Sequence, residues 1–339
     1  MLPPIATTTI GSFPRPSWLF DWGPEHRPTE LVARFEGDAL QEAFDDATRL
    51  ILQEQDAVGL DLVTDGEQRR TGFVNHILAG MQGFDLEHRH PKAIRGRANR
   101  ERLVPMVVDK NRRTAPIVVD NLLFTKAHTA HPVKMAVPGP TTVVDTTYDQ
   151  AYGDEAALAM DYAVAINEEL LALQAAGVDV LQIDEPAMTR RQDKVAEYGA
   201  VALDRCLDGV TVPTIVHLCY GYPGADPRQH EFLYPPLLEM LGKTRIGGYS
   251  LEFARSGYDP AILKGCGDRL VMFGCVDPSD TPVEPLAVVV GRIRSALEYV
   301  EPERLWISPD CGLVTIGREL AQQKAAILVA AATEVRASL

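Results

Sequence analysis

The sequence has 339 residues, 46% of them hydrophobic and 24% charged, with a formal net charge of −14. That length admits two average domains or one α/β barrel with loop insertions, and the acidic balance argues against nucleic acid as a partner, since such binders carry a basic face. The start, Met1 to Ile5, lacks the basic and long apolar regions of a signal peptide, and no later stretch approaches the ~20 apolar residues of a membrane span, so a cytoplasmic protein with no membrane partner is expected.

In chain order, Ile5 to Phe13 reads as a first strand closed by Gly11-Ser12-Phe13-Pro14, and Asp38 to Val58 carries Leu40, Phe44, Ala47, Leu50 and Ile51 on one helical stripe. Gly59 to Thr64 is a second strand ending in Asp65-Gly66-Glu67, with a helix starting near Thr71. From about 85 to 131 the pattern breaks, and Lys and Arg outnumber the acids. Two strand-like pieces, Leu103–Val108 and Pro116–Val119, flank Lys110-Asn111-Arg112-Arg113, so this segment is expected to be a hairpin-bearing insertion rather than a long structureless loop. Regular alternation then returns. Strands are expected at Val133–Pro140, Val178–Ile183, Thr214–Leu218, Ile246–Leu251, Leu270–Gly274 and Leu305–Ser308. Helical patterns at 154–176, 193–207, 232–241, 260–266, 285–300 and 317–335 separate and close them. Eight strands alternating with helices predict one (β/α)8 TIM barrel spanning 1–339, with the insertion after strand two.

In that fold the carboxyl ends of the strands converge on one mouth, where active sites lie. His217 and Cys219 end strand five, ahead of a turn at Gly221, and side chains at i and i+2 of a strand point to one face. With Cys311 at the end of strand eight they form an imidazole and thiolate set suited to Zn²⁺. The five cysteines (Cys206, Cys219, Cys266, Cys275, Cys311) are an odd number, widely spaced, which favours free thiols or ligands over a disulfide framework. A fourth position is open to Glu252, in the apolar context Tyr249-Ser250-Leu251-Glu252-Phe253, or to Cys275. Two thiolates and a carboxylate more than cancel the charge of Zn²⁺, so such a site suits holding a substrate thiolate for alkyl transfer better than activating water. Glu67 and Asp184 then read as receptors for an ammonium group, while backbone N–H groups near Gly11 and the Ser12 hydroxyl suit a carboxylate. The structural alternative is that strand-end carboxylates cap the following helices.

Ile10-Gly11-Ser12-Phe13-Pro14, Asp65-Gly66-Glu67 with Arg70-Thr71, Ile183-Asp184-Glu185-Pro186, His217-Leu218-Cys219 and Pro309-Asp310-Cys311-Gly312, in this order over nearly the whole chain, resemble the catalytic domain of cobalamin-independent methionine synthase. The resemblance implies zinc held at His217, Cys219, Glu252 and Cys311, and homocysteine held at Ile10, Ser12, Glu67 and Asp184 as acceptor of a methyl group. Two departures bear on the donor: the chain begins almost directly at the catalytic domain, and Gly274 to Asp280 lacks the histidine that the folate-using enzymes carry there. The sequence is thus more similar to short, folate-independent members, for which methylcobalamin or a corrinoid protein is the expected donor. Asp277 is the one obvious substitute acid in that loop. The same short scaffold also resembles epoxyalkane:coenzyme M transferase, whose substrate carries a sulfonate and no amine. A metal-independent barrel lyase or aldolase using Asp184 and Glu67, or an inactive binding barrel, would hold no stoichiometric metal.

Overall fold

The computed structural model describes residues 2–22, 31–94, 101–220 and 234–339. In chain order its strands are β1 (Ala6–Thr7), β2 (Phe20–Trp22), β3 (Leu31–Ala33), β4 (Met81–Ala93), β5 (Glu101–Arg113), β6 (Lys134–Pro138), β7 (Tyr148–Asp149), β8 (Val180–Asp184), β9 (Thr214–Leu218), β10 (Gly248–Glu252), β11 (Leu270–Val276) and β12 (Leu305–Pro309). Seven of them form one sheet in the order β1-β12-β11-β10-β9-β8-β6, with parallel registers such as Asp184 opposite His217 and Glu252 opposite Gly274. The expected second strand fills the eighth position without forming a continuous ladder. Its Asp61 and Leu62 N–H groups donate to the Thr7 carbonyl of β1, and its Val63 carbonyl accepts from Lys134 of β6. Val63 and Val133 make an isolated parallel bridge. The fold is therefore the α/β barrel class read from the sequence, with a hairpin inserted after the second stave.

The chain divides into two compact units, Met1–Gly72 with Asn121–Met135 and Gly248–Leu339, and Phe73–Asp120 with Ala136–Gly247. In the first unit, helix Gly37–Val58 buries Ala43, Ala47, Ile51 and Gln55 at the four-residue spacing of one face. Ile51 packs with Phe13, Leu313, Ile316 and Ala321. Gln55 is a buried amide with both ends used: it donates to the Thr64 carbonyl and accepts the Thr64 N–H. An unsatisfied amide there would cost about 1–3 kcal/mol, so this pair fixes the strand that leads into Asp65-Gly66-Glu67.

In the second unit, helix Glu155–Ala175 is capped by Asp154, whose carboxylate accepts from the Ala156 and Ala157 N–H groups. Its fully buried Glu169 accepts from the Ile117 and Val118 N–H groups and from Arg113. That is why the expected strand Pro116–Val119 does not form: Pro116 has no N–H, and the next two are taken by a carboxylate rather than a ladder. The hairpin is instead β4 against β5, which runs through Lys110–Arg113 to its end. Its partner strand escaped the sequence pattern because β4 alternates buried and exposed residues only at Met81–Gly83 before turning polar. The helix expected from Thr71 begins at Asn75, and the 193–207 pattern divides into Gln192–Lys194, a π turn at Val195–Gly199 and Ala200–Cys206. Gly221, residues 232–233 of a helical pattern and residues 95–100 of the insertion lie outside the described residues.

Candidate metal centre

His217 lies inside the apolar run of β9, Cys219 directly follows β9, and Cys311 follows β12 by two residues. One ring nitrogen of His217 and the two sulfurs lie within 4.8 Å of one another, and all three residues are buried. Two donors each about 2.0–2.3 Å from one zinc ion are at most about 4.6 Å apart, so one imidazole and two thiols at this spacing fit a single soft or borderline metal with small adjustments. Glu252 ends β10 at 1% exposure and is not one of these three, nor is Cys275. Burial pushes the Cys275 thiol well up, and the residue sits where the β11 to β12 register slips between Gly274 and Val276.

Asp310, beside Cys311, is 1% exposed and reaches back across β11. Its Oδ1 accepts the N–H groups of Phe253 and Ala254, each at 2.9 Å, and its Oδ2 accepts that of Arg255 at 2.7 Å. These three residues directly follow Glu252. The crossing needs a glycine in between: a Cβ on Gly274 would stand 2.3 Å from Asp310 Oδ1 and 2.9 Å from the Leu251 carbonyl. Burial raises the Asp310 carboxyl above the ordinary range, and the three backbone donors pull it back.

The residues expected around an amino acid fall in two groups. In the first unit, Ile10, Ser12 and Glu67 are buried, and the Phe13 N–H donates to the Gly66 carbonyl, tying the Ser12 segment to the Glu67 turn. Glu67 has a left-handed backbone, φ 54°, in a residue that carries a Cβ. Arg15 holds that turn by donating to the Glu67 and Arg70 carbonyls. Strain of this kind persists where surrounding bonds over-determine it and clusters at functional sites. Lys134, fully buried, donates to the Ile10 carbonyl at 2.7 Å. In the second unit, Asp184 accepts from Gln182 at 2.7 Å and stands opposite His217. The next residue, Glu185, accepts the Thr141 and Thr142 N–H groups and the Thr142 hydroxyl, capping helix Pro140–Thr146. Burial pushes its carboxyl up to about 7 against the pull of those donors.

Asp277 is anchored within its loop. Its carboxylate accepts the Ser279 N–H and lies 3.7 Å from Arg255, its N–H donates to Glu284, and its carbonyl accepts from Lys324. Asp310 and Glu185 stand inside sequence motifs, but their role as anchors is not legible from those motifs. Only the glycines opposite them, Gly274 and Gly139, carry a sequence trace of the contact.

A family model described as the catalytic domain of cobalamin-independent synthase matches residues 5–334. The chain belongs to this family. It is a methyltransferase of the methionine synthase type, 32% identical over its full length to the methionine synthase of Sulfurisphaera tokodaii, covering 94% of that protein. It is 33% identical to the methionine synthase of Saccharolobus solfataricus, with 100% of this chain and 97% of that one covered. Among solved structures, a B12-independent methionine synthase from a Shewanella species, in complex with selenomethionine, is 34% identical, with a TM-score of 0.92 over 99% of this chain and 98% of that one. This relative thus shares the fold over 99% of the chain. No helix among the described residues is long and apolar enough to cross a membrane.

Proposed function

We propose that this family member moves a methyl group onto the thiol of homocysteine to form methionine, with Zn²⁺ held by His217, Cys219 and Cys311 and by Glu252 as the fourth protein ligand. The observation that carries the reading is the meeting of one imidazole and two thiols within 4.8 Å, all buried. Bound there, the metal would supply an acidified substrate thiol that is a thiolate near neutral pH yet still a nucleophile. Glu67 and Asp184 bind the substrate ammonium, and the Ser12 hydroxyl with backbone groups from Ile10 onward binds its carboxylate. Such charge-assisted bonds fix the direction in which the thiol points. Arg15 keeps the Glu67 turn in its left-handed conformation for this purpose. In the transfer the substrate sulfur forms a bond to the methyl carbon, the bond from that carbon to the donor breaks, and its electron pair leaves with the donor. The thiol proton leaves to solvent. Selenomethionine, present in the Shewanella relative, is a close analogue of this product. A sulfonate thiol such as coenzyme M fits less well, since Glu67 and Asp184 would repel it.

We infer further that the donor is methylcobalamin or a methylated corrinoid protein. A folate nitrogen leaves poorly unless a placed acid protonates it, a contribution of roughly 10²–10⁴ in rate, whereas cobalt leaves without a proton. Residues 274–280 hold no histidine, and Asp277 pairs with Arg255. The test is to measure zinc by elemental analysis and methionine formed from each donor. Stoichiometric zinc is expected, with turnover from methylcobalamin well above that from methyltetrahydrofolate and little changed in Asp277→Asn. Protein purified without metal and unable to take up zinc would sink the metal reading; brisk methylfolate turnover lost in Asp277→Asn would sink the donor reading.

A further inference from the structure

Asp310 has a place in the geometry that goes beyond its membership of a motif. Its carboxylate uses both oxygens on three consecutive backbone N–H groups, Phe253, Ala254 and Arg255, and so ties the chain just before Cys311 to the chain just after Glu252. The tie passes over β11 at Gly274, where no side chain could stand, since a Cβ there would lie 2.3 Å from the carboxylate. A second bond doubles the crossing: the Asp310 N–H donates to the Val276 carbonyl beyond the register slip that places Cys275. Arg292 braces the same turn from the far side, donating to the Ala254 and Cys275 carbonyls.

We propose that Asp310 is a positioning residue for the metal site: by clamping residues 253–255 it fixes Glu252 and Cys311, the two ligands of the first unit, at one mutual distance, and Gly274 is glycine because the clamp crosses it. This rests on the metal reading proposed above. Residues that act on a metal through its ligands commonly change affinity by about 10- to 100-fold when altered, because the ligands then have to be ordered by the metal itself. The clamp makes that ordering part of the folded chain.

Two variants reach the clamp by separate routes. Asp310→Asn keeps the shape but replaces one acceptor by an amide N–H facing a backbone donor, and Gly274→Ala keeps the carboxylate but displaces it. Each is compared with the parent protein by chelator competition for zinc, by the absorption spectrum of the Co²⁺-loaded form, which reports ligand number and symmetry, and by thermal unfolding. The expected result is zinc held about tenfold or more weakly in both variants, with altered Co²⁺ bands, in protein that still unfolds cooperatively. Parental zinc affinity and Co²⁺ bands in either folded variant, even with a lowered Tm, would show that the clamp serves the fold alone and overturn the inference. A parent protein that binds no zinc would instead overturn the metal reading, so the two failures are told apart by which protein shows them.

Discussion

Each unit of the molecule contains a fully buried carboxylate that begins where a barrel strand ends and spans a glycine to collect donors from a neighbouring segment. In the second unit Glu185 crosses Gly139, where a Cβ would stand 2.4 Å from its carboxyl carbon, and caps helix Pro140–Thr146. In the first, Asp310 crosses Gly274 and holds a turn that continues into no α-helix, at residues 253–255. The device is the same but its product differs. Glu185 anchors a helix, which would gain about 1 kcal/mol from such a cap wherever it occurred. Asp310 anchors an irregular segment that directly follows Glu252, the residue proposed as the fourth metal ligand. On that proposal, buried carboxylates at strand ends divide into supports of regular structure and supports of a site, and only their targets tell them apart.

The largest expected effect tests the proposed metal ligands. His217→Ala and Cys311→Ala each remove a proposed zinc ligand, and each should abolish stoichiometric zinc and methionine formation, as read by elemental analysis and a turnover assay. Retention of zinc and activity in either would remove that residue from the proposed ligand set. Next come Glu67 and Asp184, the acids proposed to hold the substrate ammonium. Glu67→Ala and Asp184→Ala should each weaken homocysteine binding by about 10- to 100-fold, the worth of one hydrogen bond to a charged group. Zinc content should not change, and unchanged binding in both would remove the ammonium assignment.

The remaining two predictions sharpen the contrast between the anchors. Because burial raises the Glu185 carboxyl to about 7 from 4.5, the fold favours its neutral form. Its contribution is complete below about pH 4.5 and is lost as pH rises through 7, by at most about 3 kcal/mol. Unfolding titrations of the parent and Glu185→Gln should therefore diverge in slope over that window, with the parent losing stability relative to the variant as pH rises. Parallel curves would contradict the shift. The smallest effect is expected for Gly139→Ala, which should lower stability by about 1–3 kcal/mol through crowding while leaving zinc affinity as in the parent. A metal defect in that variant would show that the helix anchor also serves the site.

The sequence determined the fold class because barrel staves and amphipathic helices are local patterns, readable from runs such as Thr214–Leu218 and from stripes such as Leu40, Phe44, Ala47, Leu50 and Ile51, of which the structure buries Ala47 and Ile51. It also offered His217, Cys219 and Cys311 as ligand types at strand ends, since donor chemistry belongs to the residue itself. The hairpin partner β4 was not legible, because a polar strand announces itself only through the strand it pairs with. Nor were the anchors. Asp310 finds its donors 55–57 residues away and Glu185 finds its own 43–44 away, and no local pattern marks an aspartate or glutamate whose partners are backbone N–H groups at such separations. Tertiary structure alone decided which buried carboxylates stand beside which glycines. A hydrogen bond is a relation between two positions, and one residue's identity carries only half of it.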